Sequence, residues 1–315
     1  MKLPSFKWII LIAIILSLCY VNNRYEIFAV NIPKGQGIKK SEGSFRVMTW
    51  NINAFLGMKE AEDVRTGLVS EIEKLNPDIL CLQELSPKIF KEIQNSLDSV
   101  FGYTDSMAIK KEPYRYWIYS KKPIRNFKRY KCILKIDTTG FNQLLQNEIT
   151  IIQRQLPISS VEVEATPGKW ITIFAVHLRS SAYSTARRSM EEGSSWKDGI
   201  PLYLENYKIG AKIRNFEADN LCLYIDSLET NQKPIIIAGD FNDWSGSYCM
   251  NTIRDDQYKD AWWEGGLGFG ITYDEWHLKL RLDHILYNSH FVLQNVIIDN
   301  NPFSDHFPLI ADFVI

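Results

Sequence analysis

The segment Lys233 to Asp243, KPIIIAGDFND, drives an unbroken apolar strand, Ile235 to Ala238, into Gly239 and then displays Asp240, Asn242 and Asp243. A buried strand cannot solvate a carboxylate along its length. Polar groups at its carboxyl end therefore sit at the rim of the sheet, where α/β folds usually bind ligands. Four further segments repeat this design. Arg46 to Asn53 carries Asn51, Pro77 to Glu84 ends in Gln83 and Glu84, and Trp170 to Arg179 carries His177. Near the carboxyl terminus, Arg281 to His284 and Ser304 to Pro308 add Asp283, Asp305 and His306. Histidines, carboxylates and asparagines at the ends of separate strands suit a site that holds a hard cation and moves a proton beside it.

With 315 residues, 45% of them apolar and 13% aromatic, the chain can bury a large core as one catalytic domain. Glu60 to Leu75 places Val64, Leu68, Ile72 and Leu75 at helical spacing and stops at Asn76-Pro77,. Ser86-Pro87 caps a second helix with Ile89, Ile93 and Leu97 on one face,. Val161 to Glu164 turns at Thr166-Pro167-Gly168 and returns as the His177 strand, a hairpin,. Tyr207 to Leu228 reads as a long amphipathic helix. Gly265 to Gly270 lacks the spacing of a nucleotide-binding loop and is expected to be a flexible loop,.

Asn51, Gln83-Glu84, Tyr119-Ser120 before Pro123, His177, Gly239-Asp240-Phe241-Asn242, Arg281-Leu282-Asp283 and Ser304-Asp305-His306 follow one another in an order that resembles the endonuclease/exonuclease/phosphatase superfamily. That superfamily includes pancreatic-type deoxyribonuclease, abasic-site endonucleases, neutral sphingomyelinases and inositol polyphosphate phosphatases. The likeness runs from about Phe45 to Phe313. It implies an α/β fold, a four-layered α/β/β/α sandwich of two packed mixed β-sheets flanked by helices, with a metal-dependent phosphoesterase site where the strands end. His177, in its Val-His-Leu setting, resembles the deoxyribonuclease and sphingomyelinase branch and argues against a base-excision repair enzyme.

Hydrolysis of a phosphoester requires neutralising the phosphate, aligning a water and protonating the departing oxygen. The resemblance assigns Glu84 as a metal ligand with Asn51 and Asp305 close by, and an oxygen-rich set favours Mg²⁺ or Mn²⁺ over Zn²⁺. Asp283 and His306 form a coupled pair, Asp240 and Asn242 orient the nucleophile, and His177 faces the phosphate with Glu112 as its partner. Whether Asp240 or His306 takes the water's proton stays open at this point. The substrate is a nucleic acid or another exposed phosphodiester, with a phospholipid or phosphomonoester as the alternative. An inactive binding module would have lost a metal carboxylate or the Ser-Asp-His histidine, and neither is missing.

Outside the motifs, Lys2 and Lys7 precede an apolar run from Trp8 to Val21 that stops at Asn22-Asn23-Arg24. Residues 1–24 are therefore expected to be a membrane anchor or a signal peptide, 25–43 a linker and 44–315 the catalytic domain, on the non-cytoplasmic side of the cell envelope. The five cysteines show no paired spacing, so neither a disulfide framework nor a zinc site is expected. No obligate protein partner is evident. A net charge of -1 excludes a globally basic nucleic-acid binder, yet Lys110 to Lys135 carries ten Lys or Arg against one acid, Glu112. Within that strip Lys121 and Lys122, placed near the rim by the Tyr119-Ser120 motif, are expected to contact a polyanionic substrate. Arg179, Arg187 and Arg188 flank a Ser-rich insertion, Ser180 to Trp196, that reads equally as a solvated loop or a substrate-reading one,.

Overall fold

The structure, a computed structural model, describes residues 32–33, 38–52, 61–85, 87–104, 116–134, 156–181, 196–228, 233–255, 257–275, 278–301 and 303–315. The apolar leader, Glu112, Arg187 and Arg188 lie outside the described residues. In chain order the strands are β1 (Ile32–Pro33), β2 (Phe45–Asn51), β3 (Ile79–Gln83), β4 (Tyr103–Thr104), β5 (Tyr116–Ser120), β6 (Ile124–Arg129), β7 (Ile158–Thr166) and β8 (Lys169–His177). They continue as β9 (Ile235–Asp240), β10 (Lys259–Asp260), β11 (Gly266–Leu267), β12 (Tyr273–Glu275), β13 (Leu278–Leu280), β14 (Asp283–Tyr287), β15 (Val292–Ile298) and β16 (Leu309–Val314). The helices are α1 (Ala61–Leu75), α2 (Pro87–Val100), α3 (Trp196–Ser227), α4 (Tyr248–Arg254) and α5 (Ala261–Gly265).

Two six-stranded sheets have the orders β15-β16-β2-β3-β5-β4 and β10-β14-β9-β8-β7-β6. Each contains one parallel pair, β2 with β3 and β8 with β9, among antiparallel neighbours, so both sheets are mixed. Strand alternation explains how they stack. Val47, Cys81, Ile173, Ala175, Ile236 and Ala238 face one shared core between the sheets. Their chain neighbours Met48, Leu80 and Leu82 point the other way, into a layer with Leu68 and Ile72 of α1 and Ile93 and Leu97 of α2,. Phe174, Val176, Ile235 and Ile237 likewise meet Ala218, Leu221 and Ile225 of α3 and Met250 of α4. Strands buried on both faces need this much apolar sequence, and the result is the α/β/β/α sandwich. Among the described residues no helix is long and apolar enough to cross a membrane.

Several local expectations are corrected. The supposed linker is joined to the domain at its far end: Lys40 pairs with Asp78 at 2.9 Å, Ser41 N donates to Asp312, and Arg46 donates to Ile38 O. The long helix begins at Trp196, not Tyr207; Gly199 and Pro201, poor helix formers, fall in its opening turns,. The Gly265 to Gly270 segment is a shaped loop around Trp262, whose indole donates to Gly268 O at 3.1 Å. A Cβ at Gly266 or Gly270 would strike that ring.

The first sheet carries a buried ion pair that ties three elements together. Arg46 of β2 donates Nε and Nη2 to the two carboxylate oxygens of Asp312 on β16, at 2.6 and 2.8 Å. Its Nη1 donates to Leu75 O at the end of α1, at 2.7 Å. Removing one partner of such a pair strands the other charge without water. Asp312→Ala is therefore expected to lower unfolding free energy by about 3–5 kcal/mol in urea titration; an unchanged midpoint would show that the pair is not structural.

Candidate active site

Four parallel-oriented strand ends meet at one rim. β2 ends at Asn51, β3 at Gln83 with Glu84 next, β8 at His177 and β9 at Asp240. Register fixes the lateral neighbours: Asn51 lies opposite Gln83 in one sheet, and in the other His177 and Asp283 lie opposite Asp240 from either side. Gly239 permits this closeness, since a Cβ there would run into the Val176 carbonyl,. His306 arrives from the connection between β15 and β16. Two residues of the rim, Glu84 and Asn242, hold left-handed backbone at φ 59° and 51°, a strain that persists only where surrounding contacts impose it.

Asp240 is the hub. Its Oδ1 accepts from Asn242 N at 2.8 Å, while Oδ2 accepts from Asn51 Nδ2 at 2.9 Å and Asn242 Nδ2 at 3.1 Å. The Asn51 bond crosses from one sheet to the other, and the same amide also reaches Glu84 Oε1 at 3.3 Å. His177 Nε2 lies 3.4 Å from Glu84 Oε1 and 3.8 Å from Asp240 Oδ2. His306 Nδ1 meets Asp283 Oδ2 at 2.7 Å, leaving Nε2 3.9 Å from Asp240 Oδ2. Burial opposes charge on His306, but the Asp283 and Asp240 carboxylates, the Asp283 hydrogen bond and the Asp305 charge outweigh it and raise its pKa to about 10,. Burial raises the Asp240 carboxyl, partly offset by the His306 charge and reinforced by Asp283.

The donor set fits a hard divalent cation. Asp240, Asp283 and His306 bring ligand-type atoms within 4.8 Å of one another, with His306 engaged by Asp283 through Nδ1, and beside them Glu84 Oε1 lies 3.3 Å from the Asn51 amide, so oxygens make up most of the set. Among the described residues Asp283 Oδ1 is buried with no hydrogen-bond partner, and the Glu84 carboxylate lies 3.4 Å from His177 Nε2. Clustered carboxylates repel one another until a cation joins them, and an oxygen-dominated set selects against softer metals.

Asp305 stands beside His306, with Oδ1 accepting from Ser304 Oγ at 3.2 Å. Arg179, two residues past His177, is half-buried and has its main chain pinned: its N–H donates to Glu217 Oε2 and its carbonyl accepts from Arg214 Nη1. Lys121 and Lys122 are elsewhere, which corrects their expected place at the rim. β5 runs antiparallel to β3 with Ser120 opposite Ile79 and Tyr116 opposite Gln83, so the Tyr119-Ser120 end points away from the site. Lys121 donates its main-chain N–H to Asp78 O, on the order of 20 Å of strand from Glu84.

Sequence reading passed over the residues that brace the site. Thr272 Oγ1 accepts from the main-chain N–H of Leu282 and Asp283, Trp50 Nε1 donates to His306 O, and Ser304 Oγ donates to Asn51 O. The Tyr273 ring meets His306 edge-on at 4.9 Å. Arg214, fully buried, joins Asp243 at 3.0 Å to Ser181 Oγ at 2.8 Å, tying the loop after Asp240 to the loop after His177. Burial pushes neighbouring Glu217 up to about 7 against the Arg179 main-chain bond and the Arg179 and Arg214 charges. Asp260, bonded to His284, Arg281 and the amino end of α5, is held at about 2, those partners outweighing the penalty of burial. Ser304 and Arg281 lie inside motifs already read, whereas Thr272, Trp50, Tyr273, Arg214, Glu217 and Asp260 stand in none. The one legible signal was a polar residue inside an apolar run.

The model of the family described as Endonuclease/Exonuclease/phosphatase matches residues 48–306. No curated protein matches the sequence significantly. Among solved structures, the human Nocturnin catalytic domain with bound sulfate anion is 17% identical with a TM-score of 0.60, the alignment covering 91% of this chain and 98% of that one. ANGEL2, a 2',3'-cyclic phosphatase in complex with adenosine-2',3'-vanadate, is 16% identical with a TM-score of 0.60 over 88% and 99% of the two chains. D. rerio TDP2 complexed with single strand DNA product is 15% identical with a TM-score of 0.55 over 87% and 100%. At these identities the likeness establishes the fold.

The coupling of Asp283 to His306 can be measured directly. In the metal-free chain, Asp283→Asn should bring the His306 imidazole titration, followed by NMR, clearly below about 10,. A titration unmoved by the substitution would contradict the electrostatic assignment.

Proposed function

Because the chain belongs to the endonuclease/exonuclease/phosphatase family, a family of phosphoester hydrolases, we propose that it is a Mg²⁺- or Mn²⁺-dependent phosphodiesterase acting on nucleic acid. The observation that supports this most strongly is the convergence on Asp240 of Asn51 and Glu84 from one sheet and His177, Asn242 and Asp283 from the other, with His306 between. Glu84 and Asn51, with Asp305 nearby, would hold the cation, whose charge would offset that of the phosphate.

The protein groups divide the remaining work. Asp240 is the base: three hydrogen bonds from Asn51 and Asn242 fix its carboxylate, and a water held against it loses its proton to Asp240 as it attacks phosphorus. His306 is the clamp. With Asp283 on Nδ1, its Nε2–H is aimed into the opening and donates to a phosphate oxygen, an assignment that a histidine already carrying its proton fits better than that of base. His177 Nε2, beside Glu84 and Asp240, gives a proton to the departing oxygen as its bond to phosphorus breaks. Nucleic acid is favoured over phospholipid because two proteins of like fold were solved with adenosine-2',3'-vanadate and with a single strand DNA product.

The test is the full chain with Mg²⁺ or Mn²⁺ on single-stranded oligonucleotides, sphingomyelin vesicles and bis(p-nitrophenyl) phosphate. Oligonucleotide cleavage is expected, abolished by EDTA. Glu84→Gln, Asp240→Asn and His306→Ala should each reduce turnover by more than about 100-fold while the proteins stay folded. Near-normal turnover of folded Asp240→Asn would overturn the site, and hydrolysis of sphingomyelin alone would overturn the nucleic-acid reading.

A further inference from the structure

Two tryptophans lie open to solvent beside the catalytic rim. Trp244 is 55% exposed and Trp263 53%, although large aromatic side chains gain most from burial. Trp244 comes four residues after Asp240, at the end of the loop that carries Asn242. Its ring rests on Gly246, where any Cβ would collide with the indole, so the exposed face has a fixed seat. Arg254 connects it to the second tryptophan: Nη2 donates to Ser245 O at 2.9 Å, and Cζ lies 4.1 Å from the Trp263 ring centre. Arg281, two residues before Asp283, bonds Ser245 Oγ and lies 5.4 Å from the same ring.

The two arginines differ in charge balance. Arg281 is neutralised by Asp260 at 2.8 Å. Each hydrogen bond that Arg254 makes among the described residues goes to a neutral oxygen, on Met250, Ser245 or Asn251. The linked surface thus presents two aromatic faces and the guanidinium of Arg254, which feels the Asp260 charge without a direct hydrogen bond to it among the described residues. Its complement is a flat ring attached to a negatively charged backbone, a better match for a nucleotide than for acyl chains. Every base has a π-face, so such a seat takes single strands without reading sequence.

We propose that Trp244 stacks on an unpaired nucleobase next to the scissile phosphate of a single strand, with Arg254, braced on Trp263, at the adjoining phosphate. This rests on the nucleic-acid reading of the site above. Stacking contributes only when a base is present, which separates it from general support of the loop.

The test compares the full chain with its Trp244→Ala and Trp244→Phe variants, with Mn²⁺, on oligo(dT) and on an abasic phosphodiester oligomer of equal length. Wild type should prefer oligo(dT). Trp244→Ala should cut kcat/KM on oligo(dT) by on the order of 10-fold or more and leave the abasic oligomer unchanged, so that the preference collapses, and Trp244→Phe should restore most of it. Equal loss on both oligomers, no loss on oligo(dT), or a wild type without preference overturns the platform while leaving the hydrolase intact. A wild type that cleaves neither oligomer overturns the nucleic-acid reading and the platform with it. Vesicle binding that disappears in Trp244→Ala, with oligo(dT) cleavage untouched, assigns the surface to a bilayer and also overturns it.

Discussion

The register of three adjacent strands governs the site. His177, Asp240 and Asp283 are direct neighbours across β8, β9 and β14, which places a histidine and two carboxylates side by side at one edge of one sheet. A slip of a single residue in either pairing would turn one of them into the apolar core. The face-to-face packing of the sheets then adds Asn51 and Glu84, and the Asn51 to Asp240 hydrogen bond is where the two halves meet. The alternation of Ile236 and Ala238 against Ile235 and Ile237 sets both sheet spacing and helix cover. The sequence that builds the core therefore also aims the chemistry.

Burial makes this arrangement electrostatically expensive and chemically useful. Asp240, Asp283 and His306 are almost without water. In that setting a carboxylate resists ionisation, an imidazole resists protonation, and their mutual attraction opposes both effects. For His306 the attraction prevails and the pKa is raised; for Asp240 burial prevails and the carboxyl is raised. The proposed division of the pair into a proton acceptor and a positive donor follows these opposite shifts. Asp283 Oδ1, left without a hydrogen bond, and the strained backbone at Glu84 and Asn242 show where stability is given up for a site that a cation can complete.

Much of this was legible in the chain. Apolar runs that end in Asn51, Glu84, His177 and Asp240 mark buried strands with polar tips, and α1, α2 and the β7–β8 hairpin follow from periodicity and turn residues. What escaped has physical causes. Lys121 and Lys122 were misplaced because strand direction is a tertiary property: β5 could lie parallel or antiparallel to β3 with the same composition. Arg46 with Asp312, and Arg214 with Asp243, are partners 266 and 29 residues apart, and a charged residue within an apolar run names no partner. Trp244 stands in no motif, and only its exposure and its seat on Gly246 distinguish it.

The proposal that one sheet holds the cation while the other positions its ligands is tested most directly by titrating the metal-free chain with Mn²⁺ in a calorimeter, beside Glu84→Gln from one sheet and Asp240→Asn from the other. Binding that is strongly weakened by each substitution separately is the predicted result, through loss of a ligand in Glu84→Gln and of the carboxylate that positions Asn51 in Asp240→Asn. Binding that is indifferent to both, or that depends on only one sheet, would contradict it.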